Sequence, residues 1–207
     1  MLTTLFESPI FFVIWVVSLL VAITIHEFSH ALVADRLGDP TPRLQGRLTL
    51  NPLAHLDPIG TIMLIIANFG WGKPVQFDPY NLKNPRRDAA LISVAGPVSN
   101  ILLASILSLL FRLTASPLLI PFIVLNVSLA VFNLVPIHPL DGGKILIGLV
   151  SPGMARNLDN FLSRYGMFLL LFMILPLFAG RSLVSIIISP IINFLLSLYI
   201  PGLTTLL

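Results

Sequence analysis

Charge-free apolar stretches alternate with short polar loops along almost the whole chain. No residue from Pro9 to Ile25 is charged, and the stretch runs on to Asp35-Arg36, which predicts a first helix long enough to cross a bilayer. Residues 37 to 57 are polar and rich in turn formers (Gly38, Pro40, Pro42, Gly46, Asn51-Pro52, Asp57-Pro58). Within them, Arg43 to Leu50 partly alternates apolar and polar side chains, which predicts a short hairpin or edge strand. Ile59 to Gly72 is uncharged but only 14 residues long, short of the ~20 a span needs, so a re-entrant or interfacial segment fits it better. A second polar loop, 73 to 88, carries Lys73, Lys83, Arg86 and Arg87.

Ala89 to Phe111 can span, as can the first part of Leu113 to Leu140, before Pro136, Pro139 and Gly142-Gly143 interrupt it. Two more candidates, Tyr165 to Gly180 and Ser182 to about Ile200, are separated by Arg181. The pattern predicts an all-α polytopic membrane protein, with about five transmembrane helices, a re-entrant segment and a small β-hairpin. It reads as one domain over 1–207, with a catalytic core at about 9–150 and a C-terminal helical pair at about 164–201. No internal repeat or low-complexity linker divides it.

Composition agrees. The chain is 56% hydrophobic and 10% charged, with a mean hydropathy of +0.96; a soluble domain carries about 25% charged residues and needs them to solvate its surface. The N-terminus, Met1 to Glu7, lacks the basic region of a signal peptide, so the first apolar stretch is expected to stay as a span. The net charge of +3 comes from basic residues scattered through loops, which speaks for membrane orientation and against nucleic acid. With 59–72 re-entrant, one side holds Arg36, Arg43, Arg47, Lys73, Lys83, Arg86, Arg87, Lys144, Arg156 and Arg164, and the other only Arg112 and Arg181. That asymmetry places the N-terminus outside and the end of the first span in the cytoplasm.

Into the first span is set His26-Glu27-Phe-Ser-His30, an H-E-x-x-H motif. Histidines four apart on a helix share one face and can grip one metal ion, while the adjacent carboxylate can take a proton from a water that the metal polarises. Ionisable groups at membrane depth cost about 2.5–3.5 kcal/mol each on insertion scales, so they default to function. About 15 Å of helix separates His26 from Arg36, which puts the site inside the membrane toward the cytoplasmic side. Cysteine is absent, so a zinc ion must be held by His and carboxylate. Three protein ligands are usual at a catalytic zinc. Among the few remaining candidates Asp141 stands out, at the end of a long uncharged stretch whose prolines and glycines unwind the backbone; it can also cap the helix that follows. His55, in a turn-rich loop, reads as a structural hydrogen bonder, and His138 as support for Asp141. Gly96-Pro97-x-x-Asn100 reads as a close helix contact with an interhelical hydrogen bond.

Together, H-E-x-x-H in the first span, Gly96-Pro97-x-x-Asn100 in the next and Asn133-x-x-Pro136-x-x-x-Leu140-Asp141-Gly142-Gly143 resemble the site-2 protease family of intramembrane zinc metalloproteases. Asn51-Pro52-x-x-His55-x-Asp57-Pro58-x-Gly60 and Asn81-Leu-Lys-Asn-Pro85-Arg86-Arg87-Asp88 are similar to its compact prokaryotic branch. The resemblance runs from about residue 20 to 150. It implies one zinc ion on His26, His30 and Asp141, Glu27 as catalytic base, and single-pass transmembrane proteins as substrates, in a prokaryotic plasma membrane. The chain departs from larger members in leaving no room for a PDZ or CBS module and in lacking a span before the zinc-bearing helix.

The chemistry also needs an oxyanion donor, and Asn133 is the best candidate, with a helix-to-helix hydrogen bond as its alternative role. A transmembrane substrate must unwind before attack, and an edge strand over 43–50 could clamp its extended form. Two other readings of the chain are a metal transporter or channel and a proteolytically inactive membrane scaffold.

Overall fold

The first helix, α1 (Pro9–Arg36), is 28 residues long, about 42 Å at 1.5 Å per residue, and ends at the charged pair Asp35-Arg36. The computed structural model describes residues 8–67, 70–177 and 180–202. The segment read as a retained N-terminus, 1–7, lies outside the described residues. So do positions 68–69 of the expected re-entrant segment and 178–179 of the expected fourth span.

Helix α1 is built inside out. Its buried residues are small or polar: Ser18, Ala22, Thr24, His26, His30, Ala31 and Ala34. Its exposed residues include Ile10, Phe11, Val13 and Val17. Helix α4 (Pro85–Thr114) repeats the arrangement, with Ser93, Gly96, Asn100, Ala104 and Ser108 inside and Leu102, Ile106, Leu109 and Leu113 outside. Small inner residues let helix backbones approach closely, as membrane helices require in the absence of a water-driven hydrophobic effect between them. Both helices are long and apolar enough to cross a membrane.

A 3₁₀ turn at Pro117–Leu119 leads into α5 (Ile120–Asn133), and the chain closes with α6 (Asp141–Leu149), α7 (Pro152–Ile174) and α8 (Leu183–Tyr199). Helix α4 forms the centre, packed on α1, α5 and α6. Ala104, Ile123, Val127, Val131, Leu196 and Ile200 form the main apolar cluster, which joins α4, α5 and the end of α8. The last carbonyls of α8 have no partner within their own helix, and α4 supplies donors: Ser108 Oγ to Tyr199 O at 2.6 Å, and Arg112 to Leu198 O at 2.6 Å. Helix α7 starts thirteen residues before the expected Tyr165, because Ser151-Pro152 initiates a helix whose first half is polar.

The hairpin expected over 43–50 does not form, and no strand occurs among the described residues. Thr41–Leu44 is instead the short helix α2, followed by turns. Asp39 decides this: Oδ1 accepts from the Thr41 backbone N–H at 3.1 Å and hydroxyl at 2.6 Å, while Pro42 supplies a helical φ. The polar-apolar alternation misled because its burial is inverted. Arg47 is buried, donating to the carbonyls of Ala54 and Lys73, whereas Leu44 is 81% exposed. The edge strand expected at 43–50 to clamp an extended substrate is therefore not present.

The stretch expected to re-enter goes out and comes back. Helix α3 (Pro58–Ala67) leaves from Leu56, and Gly72 returns to form an isolated antiparallel bridge with Leu56, extended by Lys73 N–H to His55 O at 2.9 Å. Residues 73 to 78 then run extended across α1. Asp78 N–H donates to Asp39 Oδ2 at 2.7 Å and Asn81 Nδ2 to Asp39 Oδ1 at 2.8 Å. Burial pushes the Asp39 carboxyl up, but its hydrogen bonds from Thr41, Asn81 and Asp78 outweigh that and hold it below the usual carboxylate range.

Candidate metal centre

Helical spacing places the imidazoles of His26 and His30 one turn apart on the buried side of α1, with ring centroids 4.6 Å apart. Asp141, the first residue of α6, meets them. Its Oδ2 is 3.1 Å from His26 Nε2 and 3.2 Å from His30 Nε2. Leu134 to Leu140 supplies the turn that brings Asp141 in, and Gly142 lets it pack: a Cβ there would stand 2.3 Å from Val135 O and 2.4 Å from Leu134 O.

Each ring is held from behind. His26 Nδ1 lies 2.6 Å from Asn100 Oδ1, and His30 Nδ1 lies 2.7 Å from Ile92 O. A carbonyl oxygen can only accept, so His30 carries its proton on Nδ1, and the amide oxygen of Asn100 fixes His26 in the same way. Both Nε2 lone pairs are thereby turned toward Asp141, the tautomer a metal ion requires. Asn100 is itself oriented, since its Nδ2 donates to Ala22 O at 3.0 Å and to Asn126 Oδ1 at 2.8 Å. Asn126 anchors the network by donating to Phe122 O at 2.8 Å.

This donor set fits a cation. Asp141 Oδ2 is buried and has no hydrogen-bond donor. Two imidazole Nε2 atoms and one carboxylate oxygen point at one another, so one divalent ion held by the neutral rings would satisfy all three. His26, His30 and Asp141 are the only such cluster found among the described residues, with ligand atoms within 4.8 Å of one another.

Glu27 stands beside this cluster and outside it. Its Oε2 accepts from Val75 N–H at 2.9 Å, so the 73–78 segment fixes the position of the carboxylate. Lys144, one turn into α6 from Asp141, lies 4.6 Å from the centroid of the Phe77 ring in that segment. Asn133, expected as an oxyanion donor, donates within its own helix, to Leu129 O at 3.0 Å. His55 Nε2–H donates to Thr49 O at 2.8 Å, the structural bond anticipated for it. His138 packs its backbone on Gly166, and its Nε2 lies 3.5 Å from Asp159 Oδ1.

Three contributors escaped the sequence reading: Asn126, the Ile92 carbonyl and the Val75 N–H. A lone amide inside an apolar helix was a usable signal for Asn126; main-chain groups leave none. Gly96 has a sharper role than close helix packing. A Cβ there would lie 2.5 Å from His30 Nε2 and 2.6 Å from His26 Cε1, so the imidazoles fill the space that a side chain would take.

Comparison with known proteins agrees with this chemistry. Residues 110–176, which include Asp141, match the profile of peptidase family M50. The chain is 43% identical over 173 residues to YwhC of Bacillus subtilis (strain 168), named as a candidate zinc metalloprotease; the match covers 76% of this chain and 78% of that one. It is 34% identical over 182 residues to Rip2 of Mycobacterium tuberculosis (strain ATCC 25618 / H37Rv), named in the same way, covering 82% and 70%. To the zinc metalloprotease MJ0392 of Methanocaldococcus jannaschii it is 24% identical over 198 residues, which span half of that protein. No solved structure matches the chain.

Proposed function

The chain belongs to peptidase family M50, the zinc metalloproteases related to site-2 protease, and from that membership we propose that it cuts peptide bonds within or near the transmembrane segments of membrane-anchored proteins. The observation that carries the reading is the convergence of His26 Nε2 and His30 Nε2 on the undonated Oδ2 of Asp141, at the inner face of a helix fit to cross a membrane.

His26, His30 and Asp141 would hold the zinc ion. Bound there, zinc supplies a Lewis acid that polarises the scissile carbonyl and makes water acidic enough to attack at neutral pH. Glu27, fixed in position by Val75 N–H, takes the proton of the attacking water and returns it to the leaving amine. Asn133 stabilises the oxyanion with the amide hydrogen not engaged by Leu129 O.

The membrane arrangement is five spans: α1, α4, the stretch Pro117–Asn133, the apolar part of α7, and α8. Outward-facing Phe168, Phe172, Ile187, Ile191 and Phe194 support the last two as lipid-facing surfaces. The bridge between Leu56 and Gly72 supports a re-entrant α3, and with it a cytoplasmic side holding ten of the twelve basic residues. The catalytic centre then lies within the bilayer, nearer the cytoplasm.

The deciding experiment is cleavage of a panel of single-pass substrates in liposomes by wild type and Glu27→Gln, with and without a chelator. Cleavage that is lost in the variant, lost on chelation and restored by zinc is expected; cleavage persisting in Glu27→Gln overturns the assignment of the base.

A further inference from the structure

Away from the metal centre, a cavity of about 380 Å³ opens between the first turns of α4 and α7, lined by Arg86, Ile147, Pro152, Ala155, Arg156 and Asp159. Arg86 and Arg156 face it from different helices. Among the described residues neither guanidinium is paired with a carboxylate or engaged in a hydrogen bond. The acid on the wall, Asp159, is half-exposed, with Oδ1 3.5 Å from both His138 Nε2 and Ser163 Oγ. Two exposed guanidinium forks lining one concavity can receive an anion with several acceptor oxygens, and phosphate geometry suits them. The rest of the wall is apolar: Ile147, Pro152 and Ala155.

The packing around the cavity shows what an occupant would do. Helix α7 rests chiefly on α6 and α8 and leaves a gap toward α4. On the other side, α4 and α6 are locked together, because a Cβ on Gly148 would stand 2.3 Å from the Ala90 Cβ. The gap therefore lies between a fixed pair of helices and a third that rests chiefly elsewhere. That third helix touches the loop leading to Asp141 twice, through Asp159 to His138 and through Gly166, where a Cβ would stand 2.6 Å from His138 O.

We propose that this cavity binds the phosphate headgroup of an anionic phospholipid between Arg86 and Arg156, and that the bound lipid seats α7 against the loop leading to Asp141. A free phosphate would use the two arginines and leave the apolar wall bare, whereas the glycerol and upper acyl chain of a lipid cover Ile147 and Pro152. The position suits this source, for both arginines sit at the polar ends of their helices on the basic side of the molecule, where anionic leaflet lipids concentrate. The proposal rests on the membrane reading given above and is independent of the chemistry at the metal centre.

The test is native mass spectrometry of the full chain, delipidated in detergent and then supplied with phosphatidylglycerol, phosphatidylcholine or inorganic phosphate. Wild type is expected to retain phosphatidylglycerol at least about tenfold over phosphatidylcholine, whose phosphate is the same but whose choline cation cancels the net charge that the two arginines attract. R86Q/R156Q should lose the preference and R87Q should keep it. The single variant R156Q, at an exposed position, gives a second reading if the double variant misfolds by circular dichroism. Equal retention of the two lipids, a preference unchanged in R86Q/R156Q and R156Q, or displacement of the lipid by millimolar phosphate would each overturn the proposal. Because the readout is lipid retention, a chain that cuts no substrate leaves it intact, and a chain that cuts but shows no preference refutes it.

Discussion

Asn100 and His26, 74 residues apart in sequence, meet through a 2.6 Å contact between the amide oxygen and Nδ1. That contact sets which imidazole nitrogen faces Asp141. It fixes the tautomer in which a helical histidine could ligate a metal ion.

Replacing Asn100 removes this control. Asn100→Ala is expected to weaken zinc binding by about 10- to 100-fold, the usual loss when a partner behind a ligating histidine is deleted. Competition against a chelator of known affinity measures it, and an unchanged affinity would show that the ring is held by packing alone.

Gly96→Ala should be far worse than its size suggests. The added methyl would sit 2.5 Å from His30 Nε2, and overpacking of this kind costs about 1–3 kcal/mol while displacing both rings. Zinc content and proteolysis should fall together. Gly153→Ala, with nothing within 4 Å of the new methyl, should change neither.

Glu27→Gln preserves shape and removes the proposed base. Proteolysis should drop about 10²- to 10⁴-fold with zinc stoichiometry kept, as read by single-turnover cleavage beside elemental analysis. Asn133→Ala should lower kcat about 10²- to 10³-fold and leave KM nearly alone if the amide acts on the oxyanion. A change in KM with kcat preserved would return Asn133 to a structural role.

Asp39 gives a pH signature in the polar loop. Its folded carboxyl ionises below the usual range, so ionisation favours the folded state. Its contribution is fully present above the unfolded value of about 4 and is lost as pH falls through the lower folded value. Asp39→Ala should cost about 1–3 kcal/mol at pH 7 by stranding the Asp78 and Thr41 N–H groups. The gap in Tm between wild type and variant should narrow as pH falls below about 4.

Much of this was legible in the chain because membrane proteins write their charges sparingly. His26, His30 and Asp141 stood out as ionisable residues in apolar surroundings, and the end of α1 at Arg36 was marked by the return of charge. The 43–50 segment was misread because alternation assumes that charged side chains face water, and Arg47 is buried on two carbonyls. The early start of α7 was missed because a polar half-helix leaves no apolar signature. The support for Glu27 comes from a main-chain N–H at Val75, and every residue but proline carries one.

The metal centre joins the middle of α1 to the start of α6, positions more than a hundred residues apart in the chain. An ion on those side chains is therefore also a cross-link, closing a loop whose entropy in the unfolded chain amounts to about 4 kcal/mol by the logarithmic law for flexible chains. Occupancy and cohesion are coupled in consequence, so a chelator should loosen the contact between α1 and α6 as well as silence the chemistry, and heat should release zinc and unfold the helices in a single transition.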